Sequence, residues 1–222
     1  MRQRFQVDPC RSHVALWIRA VGETLQPERA LARTFLSRLD REAEAFSFRT
    51  FSDAAYTRLA GYDPLERAIH GALDDCWQEL QELNRAGAAI AVTINQTNGL
   101  ARREEDIRRV RALFLDDDRG IEPDHFSLRP HMRVTTSHGH NHYYWLVNGL
   151  ELADYSGWQR RLADRYGGDR RVLALNQAMQ LPGFWRRKRM IRPLMPGLQI
   201  LNDGPCYRLP QLRNLLQQPQ PA

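Results

Sequence analysis

The run Ala112-Leu-Phe-Leu-Asp-Asp117, followed by Asp118, Arg119 and Gly120, constrains this chain more than any other stretch. A continuous apolar segment of strand length reads as a strand buried on both faces, and only a layered fold with helices covering a sheet supplies that burial. Its end has the opposite character. Three successive carboxylates repel one another and raise each other's pKa unless water screens them in a turn or a cation sits among them. In an extended strand successive side chains point to opposite faces, so Asp116 and Asp118 share one face while Asp117 points away. Two such carboxylates suit Mg2+ or Mn2+, which take oxygen ligands and keep positions open for substrate phosphates. A plain acidic turn, finished by Arg119 and Gly120, is the competing reading.

The flanking segments predict the remaining layers. Residues 26–44 open with a Pro and carry apolar residues at helical spacing. Residues 46–53 read as a short strand, 63–84 as a long helix stopped near Gly87, and 88–95 as a β-branched strand. A polar loop over 96–106 leads into a short charged helix. Strands are predicted at 132–137 and 141–147 around a turn at Gly139, and a helix at 155–168 ends on its Gly pair. A strand over 198–202, a helix over 210–217 and a frayed tail close the chain.

With 222 residues, the chain has room for one sizeable core. No window approaches the ~20 apolar residues of a membrane span, no apolar leader follows the N-terminus, and Cys10, Cys76 and Cys206 are dispersed and odd in number. Those features point to the cytoplasm and away from a membrane. A net charge of +6 points to an anionic partner, nucleic acid first. Of the 32 basic residues one is a lysine, Lys188, set among Arg186, Arg187 and Arg189 in FWRRKRMIR. Phe184 and Trp185 interleave with those charges, a pattern suited to phosphate contact plus base stacking.

Two further groups carry chemistry. In TTSHGHNHYYW, His138, His140 and His142 alternate after Ser137. His140 and His142 with Tyr143, Tyr144, Tyr155 or Tyr166 would serve a metal-dependent relaxase or replication-initiator nuclease that cuts through a tyrosine nucleophile. His138 and His140 read equally as solvated turn residues. Asp169, directly after Gly167 and Gly168, is either a third carboxylate for the first pair or a helix N-cap.

In their order these blocks resemble the RepB-type primases of plasmids and mobile elements, within the archaeo-eukaryotic primase and primase-polymerase superfamily. The resemblance runs over residues 46–190. It implies an α/β (α+β) fold, with an archaeo-eukaryotic primase-like core, an RNA-recognition-like sheet and flanking helices. It divides the chain into an N-terminal helical segment (1–45), a catalytic core (46–205) and a C-terminal helix with a tail (206–222). It implies Asp116, Asp118 and Asp169 as catalytic metal ligands for Mg2+ or Mn2+, and Ser137, His142 and Lys188 as nucleotide-binding residues. Trp185, Arg186, Arg187 and Arg189 would contact a single-stranded DNA template. The implied activity is primer synthesis from nucleoside triphosphates for replication of a plasmid, phage or integrated element. The family often carries Arg where this chain has Gln177 and Gln180, and a further acid where Ala174 stands. The blocks include no zinc-stem cysteines and no helicase module, so a helicase or other replication protein is an expected partner. A non-catalytic single-stranded DNA-binding accessory role is the remaining alternative.

Overall fold

A computed structural model of the protein describes residues 25–53, 62–100, 103–188 and 193–217. In chain order the elements are α1 (Arg29–Leu39), β1 (Phe46–Ser52), β2 (Arg67–Gly71), α2 (Leu73–Arg85), β3 (Ala88–Thr93) and β4 (Gln96–Thr97). Then come β5 (Ile107–Arg109), β6 (Ala112–Asp117), β7 (Met132–Ser137), β8 (His140–Leu146), α3 (Leu152–Tyr166), β9 (Ala178–Gln180), β10 (Gly197–Ile200) and α4 (Leu209–Gln217). The fold is α+β, with two four-stranded sheets ordered β2-β1-β3-β9 and β10-β7-β8-β6.

In the first sheet β3 is buried along its whole length. Strand alternation puts Ile90 and Val92 on one face, while Ala89, Ala91 and Thr93 make the other, whose small side chains permit close cover. In the second sheet Phe114, Tyr144 and Met132 lie in register on one face, where Phe35 of α1 meets the Tyr144 ring edge-on at 5.3 Å. The N-terminal helix is therefore part of the core rather than an appendage. On the opposite face, Phe126 packs against Tyr143, Trp145 and Tyr166 with centroids 4.7, 5.1 and 4.9 Å away.

Strand β6 is an edge of its sheet, and α3 closes that edge with a side chain. Gln159, buried in the helix, accepts from the Phe114 N–H at 3.2 Å and donates to the Phe114 carbonyl at 2.5 Å, taking the place of a neighbouring strand.

Two predicted helices are corrected. Residues 67–71 form β2, paired antiparallel to β1, so the predicted helix over 63–84 begins only at Leu73. Asp63 does not cap it: its carboxylate accepts from the Ser52 N–H and hydroxyl at 2.7 and 2.5 Å, tying the segment to β1. The charged segment after 106, predicted as helical, forms β5, paired with β4, and the loop before it holds a 3-10 turn over Glu104–Asp106. In both cases sheet pairing outweighs weak helical propensity.

His131, fully buried ahead of β7, joins β8 to the C-terminal segment. Its Nδ1 accepts from the Leu146 N–H at 3.0 Å and its Nε2 donates to the Pro205 carbonyl at 3.1 Å. That pattern needs the neutral ring, and burial pushes its pKa down to about 4. The unfolded chain takes up a proton near pH 6.5 and the folded one does not, so stability is full above 6.5 and falls as pH drops toward 4. The loss is on the order of 2–3 kcal/mol. Urea denaturation at pH 7 and pH 5 should show it, and His131→Gln should flatten the difference.

Candidate active site

The pairing of β6 with β8 sets Asp116 opposite His142 and Asp117 opposite Asn141. The Asp117 side chain turns inward: it is buried, and its carboxylate accepts from the Arg119 and Ile121 N–H groups at 2.9 and 2.8 Å. It builds the turn. Asp116 and Asp118 face the other way, as the alternation predicts. Asp116 Oδ1 lies 3.4 Å from His142 Nε2, and Asp118 Oδ1 lies 2.6 Å from His140 Nδ1. His138 is exposed in the β7–β8 turn, where Gly139 adopts φ 74°.

Asp169 joins this pair through the end of α3. Gly167 caps the helix in the left-handed conformation, and Gly168 presses so closely on β6 that an added Cβ would lie 2.3 Å from Leu115 Cδ1. The chain can then run beside the strand edge, where the Asp169 N–H donates to the Asp116 carbonyl at 3.2 Å. Backbone closeness has an electrostatic result. Burial, then the charges of Asp118 and Asp169, raise the Asp116 pKa to about 6. Asp169 itself is held below the usual carboxylate range by Arg171, whose Nη2 is 2.8 Å away. It also accepts from the Arg171 N–H at 2.8 Å, which closes a turn, and no helix follows before β9, so the helix N-cap reading of Asp169 is not met.

All three donors are carboxylate oxygens, the type a hard divalent cation takes, and the Asp118 and Asp169 charges that add to burial in raising the Asp116 pKa are ones such an ion would offset. The residues fit the group by type. Among the described residues no three ligating side chains are already gathered as a metal site, because Asp118 faces His140 and Asp169 faces Arg171.

His142 is buried, with the Tyr144 hydroxyl 3.5 Å from its Nδ1. Burial first, then the Arg186 charge, push its pKa down to about 3. Its 3.4 Å contact with Asp116 is therefore that of a neutral ring and not an ion pair. Ser137, half-buried, sits opposite His140 at the same end of the sheet. Arg186 is fastened from two sides: its backbone exchanges hydrogen bonds with Leu194 at 2.7 and 2.9 Å, and its Nε donates to buried Asp53 at 3.3 Å. Lys188 is exposed two residues further on.

The basic block is otherwise reassigned in part. Arg187 is buried, and its Nη1 donates to the Arg85 carbonyl at 2.9 Å, so it braces the fold and does not face a template. Trp185 is half-buried with its indole N–H on the Gln26 carbonyl at 3.0 Å. Arg189 lies outside the described residues. All four tyrosines offered as nucleophiles are buried, and burial raises the pKa of Tyr143, Tyr144 and Tyr155, which leaves the nuclease reading without an accessible hydroxyl. Asp53 and Gln159 had no sequence signal: an acid ending a strand and a polar residue in a helix have nothing local to mark them as buried connectors.

Residues 66–208 match the family model of the RepB DNA-primase N-terminal domain. Among solved structures, the AEP domain of the cyanophage S-2L primase-polymerase is similar with a TM-score of 0.69 at 16% identity, covering 86% of this chain and 100% of that one. Primase RepB′ is similar with a TM-score of 0.61 at 16% identity, covering 84% and 61%. The catalytic domain of primase RepB′ in complex with initiator DNA gives 0.58 at 16% identity, covering 83% and 93%. No curated protein matches the chain. The same ends of strands that the resemblance selected thus lie in a fold shared with primase domains, and the chain belongs to the RepB DNA-primase N-terminal domain family.

Proposed function

We propose that the protein is a DNA primase that makes short primers on single-stranded DNA by metal-dependent nucleotidyl transfer. The observation that supports this reading is the approach of the Asp169 backbone to that of Asp116, with the Asp118 and Asp169 charges near enough to help raise the Asp116 pKa. The 3′-hydroxyl of one nucleotide attacks the α-phosphorus of the next, a phosphodiester forms, and the bond to the leaving pyrophosphate breaks. Asp116, Asp118 and Asp169 would hold Mg2+ or Mn2+, with Asp118 and Asp169 turning from His140 and Arg171. Held by those acids, such a cation would supply charge neutralisation for the attacking and leaving oxygens. His142, kept neutral, donates a hydrogen bond to a substrate phosphate. Ser137 adds a second donor, and Arg186 with Lys188 supplies positive charge for the triphosphate or the template backbone. Template affinity falls as salt rises. Replication of a plasmid, phage or integrated element, with a helicase or other replication protein as partner, is the setting the family suggests.

The test is synthesis of labelled primer on a single-stranded template with Mg2+ or Mn2+. Product from the wild type that disappears in Asp116→Ala/Asp118→Ala, with the circular dichroism spectrum retained, supports the reading. DNA binding without any incorporation would leave an accessory protein instead.

A pH dependence follows from the raised Asp116 pKa. Proton and cation compete for this carboxylate, so below pH 6 the apparent metal affinity falls about tenfold per pH unit. The Mn2+ concentration for half-maximal synthesis should be clearly higher at pH 5.5 than at pH 7.5.

A further inference from the structure

A buried carboxylate needs donors, and both donors to Asp53 come from the segment that carries the basic block. Its side chain, 2% exposed just past the end of β1, accepts from the Arg187 N–H through Oδ2 and from Arg186 Nε through Oδ1 at 3.3 Å. The backbone of that segment is fixed independently. Buried Asn84 accepts from the Trp185 N–H at 3.1 Å and donates to the Trp185 carbonyl at 2.9 Å, and Leu194 brackets Arg186 with two backbone hydrogen bonds. What remains for Asp53 to set is the direction of the Arg186 guanidinium.

The two arginines differ in what is left of each fork. Arg187 has Nε and Nη2 sealed from solvent without a partner. Arg186 has a side chain that is 23% exposed and is bonded through its inner nitrogen Nε, and both of its Nη groups are uncommitted among the described residues. Those outer groups carry four N–H donors, the edge with which a guanidinium takes two oxygens of one phosphate. The Arg186 charge reaches the His142 ring and lowers its proton affinity, so the open fork stands near the ring that is 3.4 Å from Asp116.

We propose that Asp53 is a positioning residue for the phosphates of the incoming nucleotide: it holds Arg186 by the inner nitrogen so that the outer edge of the guanidinium faces them. The inference rests on the primase reading, which gives Arg186 the triphosphate. The charge of Asp53 and its hold on Arg186 act on a bound anion with opposite signs, which makes the role measurable. Removing the charge alone strengthens anion binding, whereas releasing Arg186 weakens it. In Asp53→Asn the amide offers one oxygen where two are used. The Arg187 N–H, fixed in the backbone, keeps that oxygen, and the amide NH2 then meets Arg186 Nε donor to donor and turns the guanidinium away.

The experiment titrates the full chain with inorganic tripolyphosphate in a calorimeter, without divalent metal. Arg186→Gln should weaken binding about tenfold, Asp53→Asn about three- to tenfold, and the double variant no more than Arg186→Gln alone, because a residue that acts through another has no effect once the other is gone. Arg186→Lys keeps the charge and loses the fork, so it should bind nearly as weakly as Arg186→Gln. It leaves Asp53 in place and carries the test if Asp53→Asn does not fold. In primer synthesis Asp53→Asn should raise KM for the incoming nucleotide while kcat stays within about twofold. Tighter tripolyphosphate binding by Asp53→Asn, additive losses in the double variant, no loss in Arg186→Gln, or wild-type binding by Arg186→Lys each overturns the proposal. Should the wild type make no primer, the primase reading fails, and the tripolyphosphate titrations still decide whether Asp53 orients Arg186.

Discussion

Asp116→Asn is expected to lower primer synthesis by at least about a hundredfold and, in the same molecule, to raise the melting temperature of the metal-free protein. On the primase proposal, the activity loss comes from replacing a charged oxygen that would hold the cation, next to Asp118 and Asp169. The stability gain comes from the penalty that the wild type carries there. An acid whose folded pKa is raised to about 6 from 3.8 binds its proton more tightly when folded. Its penalty is then complete above pH 6 and fades as pH falls toward 3.8. Allowing for the 24% of the side chain that remains exposed, the gain is on the order of 1–2 kcal/mol at pH 7.5. Thermal melts at pH 7.5 and pH 4 check both halves: the difference between variant and wild type should be clear at the first and absent at the second. Adding Mn2+ should raise the wild-type melting temperature more than that of the variant, because the ion binds the folded wild type preferentially.

Gly168→Val is expected to lower stability by about 1–3 kcal/mol and, among molecules that remain folded, to cost about a hundredfold in synthesis. The new side chain would enter space held by Leu115, which is 1% exposed and cannot swing into solvent. The strand edge and the loop after α3 must then part, which breaks the Asp169 N–H bond to the Asp116 carbonyl and withdraws the third acid. Gly157→Ala, inside α3 itself, is the control. Nothing lies within 4 Å of its added Cβ, so helix propensity should stabilise by about 0.5–1 kcal/mol with synthesis unchanged. Chemical denaturation and primer assays on the two variants separate a packing defect from a misplaced carboxylate.

Much of the site was readable from spacing because strand geometry is strict. A side-chain period of two placed Asp116 and Asp118 together and turned Asp117 away. The turn at Gly139 between two apolar runs placed His142 on a neighbouring strand. The helix over 63–84 was misread because its first residues, PLERAIHG, carry a pattern that either period accommodates, and only the free edge of β1 selects a strand. Arg187 looked like its neighbours in a basic block, yet it is buried and donates to the Arg85 carbonyl. Charge along a sequence says nothing of which side chains the fold turns inward.

The amino-acid order by itself determined which acidic and histidine side chains share a face at the ends of β6 and β8, since the residue types and their alternation are local properties. Only the tertiary structure decided that Asp169 stands beside Asp116, that His142 is neutral, and that Asp53 holds Arg186. Each of these depends on distance between segments far apart in the chain, and on burial. Coulomb attraction and desolvation respond to that separation in space and to the water excluded around a group, neither of which the order of residues specifies until the sheets and α3 close around β6.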